Sequence, residues 1–144
     1  MNIFKRNLFC WLSAQLLLAA GCAEKIVSEC ELEGAGRTQG IATRFSAIQS
    51  GLFNVHCALS GCHAGPAPAM SLDLTPLRAY AQLVEAPSRE MPALKLVEPG
   101  SSSSSFLMKK LLGEETSIMP PSGAIAAAVI DSVAAWIDAG AAEL

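Results

Sequence analysis

The only two histidines of this 144-residue chain bracket a pair of cysteines, in the run His56-Cys57-Ala58-Leu59-Ser60-Gly61-Cys62-His63. That clustering restricts what the chain can build more than any other feature. Five cysteines are present, at positions 10, 22, 30, 57 and 62. Cys10 lies inside an N-terminal apolar run, and the rest leave no even set of partners, so a disulfide-stapled scaffold accounts for them poorly. A zinc site wants four ligands. It would have to borrow carboxylates, because no further cysteine or histidine cluster completes the set. A local Cys57–Cys62 disulfide stays open as a reading if the compartment is oxidising.

The N-terminus points to such a compartment. Lys5 and Arg6 precede an apolar run, Leu8 to Ala20, that only Ser13 and Gln15 interrupt. A transmembrane helix needs roughly 20 apolar residues, so residues 1–21 read as a signal peptide. The run ends in Leu18-Ala19-Ala20-Gly21-Cys22, which resembles the lipobox of bacterial lipoproteins, with Ala19 where leucine is commonest. The resemblance implies lipidation at Cys22 and a lipid anchor in the membrane. Ala23, where an aspartate would retain the protein at the inner membrane, implies the outer membrane, facing the periplasm or the outside. An ordinary signal peptide cut nearby is the plainer alternative. Beyond it, 8 basic residues stand against 13 acidic ones, a net charge of −5. No basic face for nucleic acid is visible.

Cys22 to Leu144 is enough for one domain. Residues 22–40, with Glu24, Glu29, Glu31 and Glu33 and no apolar periodicity, read as a flexible tether, and the domain as 41–144. Thr43 to His56 is the first helix expected, with Phe45, Ile48, Leu52 and Val55 on one face and Leu59 continuing the stripe. Thr75-Pro76 starts a second, with Leu77, Tyr80, Ala81 and Val84 inward and an end before Pro87. After a turn at Pro99-Gly100, a serine from Ser101 to Ser105 caps a third helix through about Leu112, a flexible linker being the other reading of the serine run. The last helix runs from Ser122 to Gly140, with Ile125, Val129, Val133, Trp136 and Ile137 on one side and Asp131 and Asp138 on the other. No strand shows convincing alternation. The expected class is all-α.

Two thiols with a histidine directly after the second are what covalent haem attachment demands: each thiol adds across a porphyrin vinyl group, and the imidazole reaches the iron from the same segment. The usual spacing puts two residues between the cysteines, whereas here there are four, with Gly61 able to let the extra residues loop out. Around this motif the chain resembles small exported bacterial c-type cytochrome domains of the class I type, in a variant with the longer spacing. Four features in order carry the resemblance: Phe53-x-x-x-Cys57; Cys62-His63-Ala64-Gly65; Pro99-Gly100 followed by Ser105-Phe106-Leu107; and Met119-Pro120 followed by Trp136-Ile137-Asp138-Ala139-Gly140. They span about Phe45 to Ala142.

The resemblance implies a bundle of about four helices around one haem c, held through Cys57 and Cys62. His63 would be the proximal iron ligand and Met119, in the loop before the last helix, the distal one. It also implies that the motif helix crosses the last helix at an aromatic contact, with Phe53 and Trp136 the residues in place. Among the other methionines, Met91 is the rival ligand. Met70 follows His63 too closely to reach the far face, and Met108 reads as core filler. His56, adjacent to Cys57, reads as an exposed helix-end residue. Tyr80, Arg89, Lys109 and Lys110 are candidate propionate partners, each more simply read as solvated. Cys30 falls in the tether, as a free thiol or an intermolecular crosslink. The expected function is single-electron transfer with a redox protein partner and no enzymatic turnover. A haem-free lipoprotein with a Cys57–Cys62 disulfide is the alternative, and a haem peroxidase a third reading for which no spare distal histidine is present.

Overall fold

A computed structural model describes residues 40–123 and 125–143. The segment read as a signal peptide, Cys22, Cys30 and the segment read as a tether, up to residue 39, lie outside them. Among the described residues the fold is all-α: helices α1 (Phe45–Ile48), α2 (Ala79–Leu83), α3 (Phe106–Leu112) and α4 (Ala127–Asp138), joined by turns whose pairing is limited to isolated bridges such as Val84 with Val97 and Pro87 with Lys95.

The first helix changes its winding part-way. After Ile48, α1 runs on without a break as a π-helix, Gln49–Cys57, so its amides reach back five residues, as in Ala58 N donating to the Phe53 carbonyl at 2.7 Å. The wider turn moves the inward face. Gln49, Leu52 and Phe53 are buried, while Val55 and Leu59, expected on the apolar stripe, are 54% and 44% exposed. Gly40 belongs to the packed part as well: a Cβ there would stand 2.6 Å from the Ala128 carbonyl oxygen, so only glycine lets the chain pass this close to α4.

The second helix starts later than its sequence signals suggest. Thr75 to Leu77 form a turn, with the Thr75 carbonyl accepting from the Arg78 and Ala79 amides at 2.9 Å each. Leu77 is consequently 97% exposed, and Leu74, Ala79 and Leu83 fill the core in its place. Ser105 stands at the N-cap of α3 without capping it. Its Oγ accepts from the Glu98 amide and donates to the Ser101 carbonyl. The first amides of α3, those of Phe106 and Leu107, instead donate to the Lys95 and Leu96 carbonyls at 2.9 Å, so a neighbouring segment satisfies the orphan donors of the helix start.

α4 matches its pattern most closely. Ile130, Val133, Trp136 and Ile137 are buried, Ile125 is buried just ahead of them, and Asp131 and Asp138 face outward. Ser122 does not cap it; the helix begins at Ala127 with no side-chain cap. Asp138 receives both the amide and the hydroxyl of Ser102, at 2.7 and 3.0 Å, which ties the serine run to the end of α4. The aromatic contact between first and last helices exists, but Phe45 makes it in place of Phe53. The Phe45 ring lies 5.5 Å from Trp136, 5.2 Å edge-on to Tyr80 and 6.2 Å from Phe53. Shifted by the π-winding, Phe53 serves a different surface, the wall of a cleft.

Candidate functional site

The cysteine–histidine segment closes on itself. The His63 amide donates to the Cys57 carbonyl at 3.1 Å and the Cys62 amide to the Leu59 carbonyl at 2.9 Å, so the residues between the cysteines bulge outward as a turn. Gly61 makes that turn possible with φ +82, a conformation that side-chain-bearing residues rarely adopt. Farther on, the Ala69 amide donates to the Cys62 carbonyl (2.7 Å) and the Leu74 amide to the His63 carbonyl (2.8 Å), which folds the proline-rich loop back over the motif. Gln49 anchors this fold-back from the π-helix: its buried Nε2 donates to the Leu74 carbonyl at 2.9 Å.

The ring of His63 is oriented through one nitrogen. Its Nδ1 lies 3.2 Å from the Leu72 carbonyl oxygen. A carbonyl can only accept, so Nδ1 is the donor in this contact, and Nε2 is the nitrogen that the contact leaves unengaged. An imidazole oriented through one nitrogen and free at the other is what metal ligation uses.

Cys57, His63 and Met119 line one cleft of about 500 Å³, within the usual size range of cofactor and ligand sites. Its apolar walls come from Phe53, Leu74, Leu83, Leu96, Phe106 and Leu111. Cys62 is exposed and does not line the cleft. Burial, with the nearby Cys62 sulfur adding to it, pushes the Cys57 thiol up to about 11 from 9.0. Near neutral pH its thiolate fraction is then about a hundredfold below that of an unperturbed thiol. Limiting iodoacetamide at pH 8 should therefore modify Cys62 well before Cys57 in the haem-free domain; equal rates at both positions, read by peptide mass, would contradict the burial of Cys57.

The other candidates divide clearly. Arg89 and Lys110 reach the cleft, whereas the Tyr80 hydroxyl donates to the Ala141 carbonyl and Lys109 pairs with Glu115. Met108 is buried in the core. Met91, the rival thioether, is not on the cleft; Met70 is, although it is 58% exposed. The loop after His63 doubles back through the Ala69–Cys62 hydrogen bond, so chain proximity does not keep Met70 away. His56 is exposed and borders a separate depression with Pro120 and Ile125. Gln82, Ser88 and Glu90 also face the cleft, and only their polarity within otherwise apolar stretches could have marked them. Among the described residues no three His, Cys, Asp or Glu side chains gather as a group that would hold a bare metal ion.

The residues suit a haem. One imidazole has Nδ1 engaged and Nε2 left over, a thioether and a thiol share its cleft, and the walls are apolar; Arg89 and Lys110 also line it, Lys110 being paired with Glu90, and the second thiol, Cys62, lies outside it. The chain matches no family model, no curated protein and no solved structure.

Proposed function

We propose that the domain is a monohaem c-type cytochrome of class I-like architecture that carries single electrons. The observation that carries this reading is the convergence of Cys57, a His63 ring with free Nε2, and Met119 on one apolar cleft. Cys57 and Cys62 would hold the haem, each thiol adding across one vinyl group, sulfur to one carbon and hydrogen to the other, so that nothing would be lost. The haem supplies reversible one-electron chemistry. The chain's own part is to hold the imidazole through Leu72, to offer the Met119 sulfur, and to exclude water with the apolar walls. With His63 and Met119 both holding the iron, no position would be left vacant for substrate, and methionine ligation would raise the reduction potential. With His56 on a separate surface, no distal acid–base histidine serves a peroxidase. In this reading Cys22 anchors the protein by lipid at the outer membrane. The acidic balance of the chain suits a redox partner with a basic docking patch.

Expression in a periplasm equipped for c-type maturation tests the reading. Intact mass should show one added haem, and a Cys57→Ser, Cys62→Ser variant should lose it together with the colour. A colourless wild type lighter by two hydrogens would establish the disulfide instead. Sustained peroxide reduction with a high-spin five-coordinate ferric spectrum would establish an enzyme.

A further inference from the structure

Met119 sits at the end of a loop, residues 113–119, that follows α3 and has one side-chain tie to the segment across the cleft mouth. That tie is Glu90. One of its carboxylate oxygens lies 2.7 Å from Lys110 Nζ, and the other accepts from the Thr116 hydroxyl. Lys110 is in turn the residue whose carbonyl accepts the Met119 amide, at 2.7 Å. Its ammonium stands 5.5 Å over the Phe106 ring, and its side chain is only 13% exposed, so it is held more firmly than a solvated lysine. The second lysine–glutamate pair of this region, Lys109–Glu115 at 3.1 Å, joins the loop to its own helix and does not cross the cleft.

The segment bearing Glu90 is itself fixed. Ser88 is buried; its amide donates to the Leu94 carbonyl at 2.9 Å, and its Oγ accepts from the Met91 amide at 3.0 Å. Glu90 therefore projects from an anchored turn toward a loop whose other ties run to its own helix: Lys109 to Glu115, Lys110 Nζ to the Ser117 carbonyl and hydroxyl at 3.5 and 3.4 Å, and the Glu114 and Met119 amides to the Lys109 and Lys110 carbonyls. Its hydrogen bonds, to Lys110 first and Thr116 second, hold the carboxyl below the usual range and keep it ionised at neutral pH.

From this geometry we infer that Glu90 is a positioning residue for Met119: by gripping Thr116 in the loop and Lys110 at its base, its carboxylate sets where the Met119 thioether stands in the cleft. The inference rests on the haem reading for what the sulfur does there, and not for the clamp itself.

Amide exchange followed by NMR, on the protein as expressed, separates the two. In Glu90→Ala the Met119 amide should exchange about tenfold faster, while amides of α4 keep their rates, because local opening is released and global opening is not. Thr116→Val, which removes one hydroxyl and no charge, should show the same pattern more weakly, and Glu90→Gln, which still accepts from Thr116, should fall between wild type and Glu90→Ala. In the haem-bearing protein the sulfur-to-iron charge-transfer band of Glu90→Ala should melt at a lower temperature than in wild type, with the far-ultraviolet helix signal unchanged. Unaltered exchange at Met119 in both Glu90→Ala and Thr116→Val overturns the clamp, as does acceleration spread equally over α4. If no haem attaches, the haem reading falls and the exchange rates still decide the clamp.

Discussion

Met119→Ala is expected to abolish the weak far-red sulfur-to-iron charge-transfer band of the oxidised protein and to lower its reduction potential, while Met70→Ala and Met91→Ala leave both in place. Met119 and Met70 both line the cleft and Met91 does not, so the discriminating comparison is between the first two. Met70 belongs to the same fold-back as His63, the segment closed by the bond from the Leu74 amide to the His63 carbonyl, and more than half of it is exposed. Met119 comes from a different segment, is half-buried, and has its amide fixed to Lys110. A ligand opposite His63 should come from a segment that His63 does not itself carry. Visible spectra and potentiometry of the three variants decide the matter: loss of the band in Met70→Ala with retention in Met119→Ala would move the distal ligand to the 69–71 turn.

Trp136→Ala should lower the unfolding free energy of the domain by about 3–5 kcal/mol, the usual cost of truncating a large buried aromatic. Against a total of roughly 5–15 kcal/mol, that is close to loss of the fold. Trp136 is 2% exposed, contacts Phe45, and donates its indole N–H to the Ala142 carbonyl at 2.8 Å. The indole thus joins the two helices and also grips the chain beyond α4, where the Tyr80 hydroxyl takes the preceding carbonyl, that of Ala141, at 3.1 Å. The effect should appear as a lower denaturant midpoint with an unchanged slope. Since Phe45 and Trp136 touch, the double variant should lose less than the sum of the two single losses. A loss below about 1 kcal/mol for Trp136→Ala would mean that this contact does not organise the core.

The last helix was legible because its winding is regular: with ordinary α-turns, Val133, Trp136 and Ile137 fall on the inner face and Asp131 and Asp138 on the outer one, as their spacing indicates. The first helix has the same quality of pattern, yet its pattern misleads after Ile48. Periodicity assumes the α-turn, and the π-winding of Gln49–Cys57 carries Val55 outward and brings Phe53 inward. No residue-type rule marks where a helix widens. At Thr75-Pro76 the start signals were genuine for a turn and premature for a helix, leaving Leu77 in solvent. Of the residues that line the cleft, Cys57 and His63 were expected together from the motif, and Met119 from the resemblance to cytochrome domains; Cys62, expected with them, stays outside it. Met70, Gln82 and Glu90 were not expected there: Met70 and Glu90 reach the cleft on turns closed by backbone hydrogen bonds, Ala69 to Cys62 and Ser88 to Leu94, and Gln82 lies on a helix whose start the sequence misplaces. Such bonds leave no trace in residue type.

The hydrogen bond between the Cys57 carbonyl and the His63 amide has a thermodynamic meaning for whatever occupies the cleft. An open segment of this length would have to bring its ends together on binding, at an entropic cost that grows only with the logarithm of its length but is felt in full at the moment of capture. Here the ring is closed by the fold itself, so that cost belongs to folding and is absent from association.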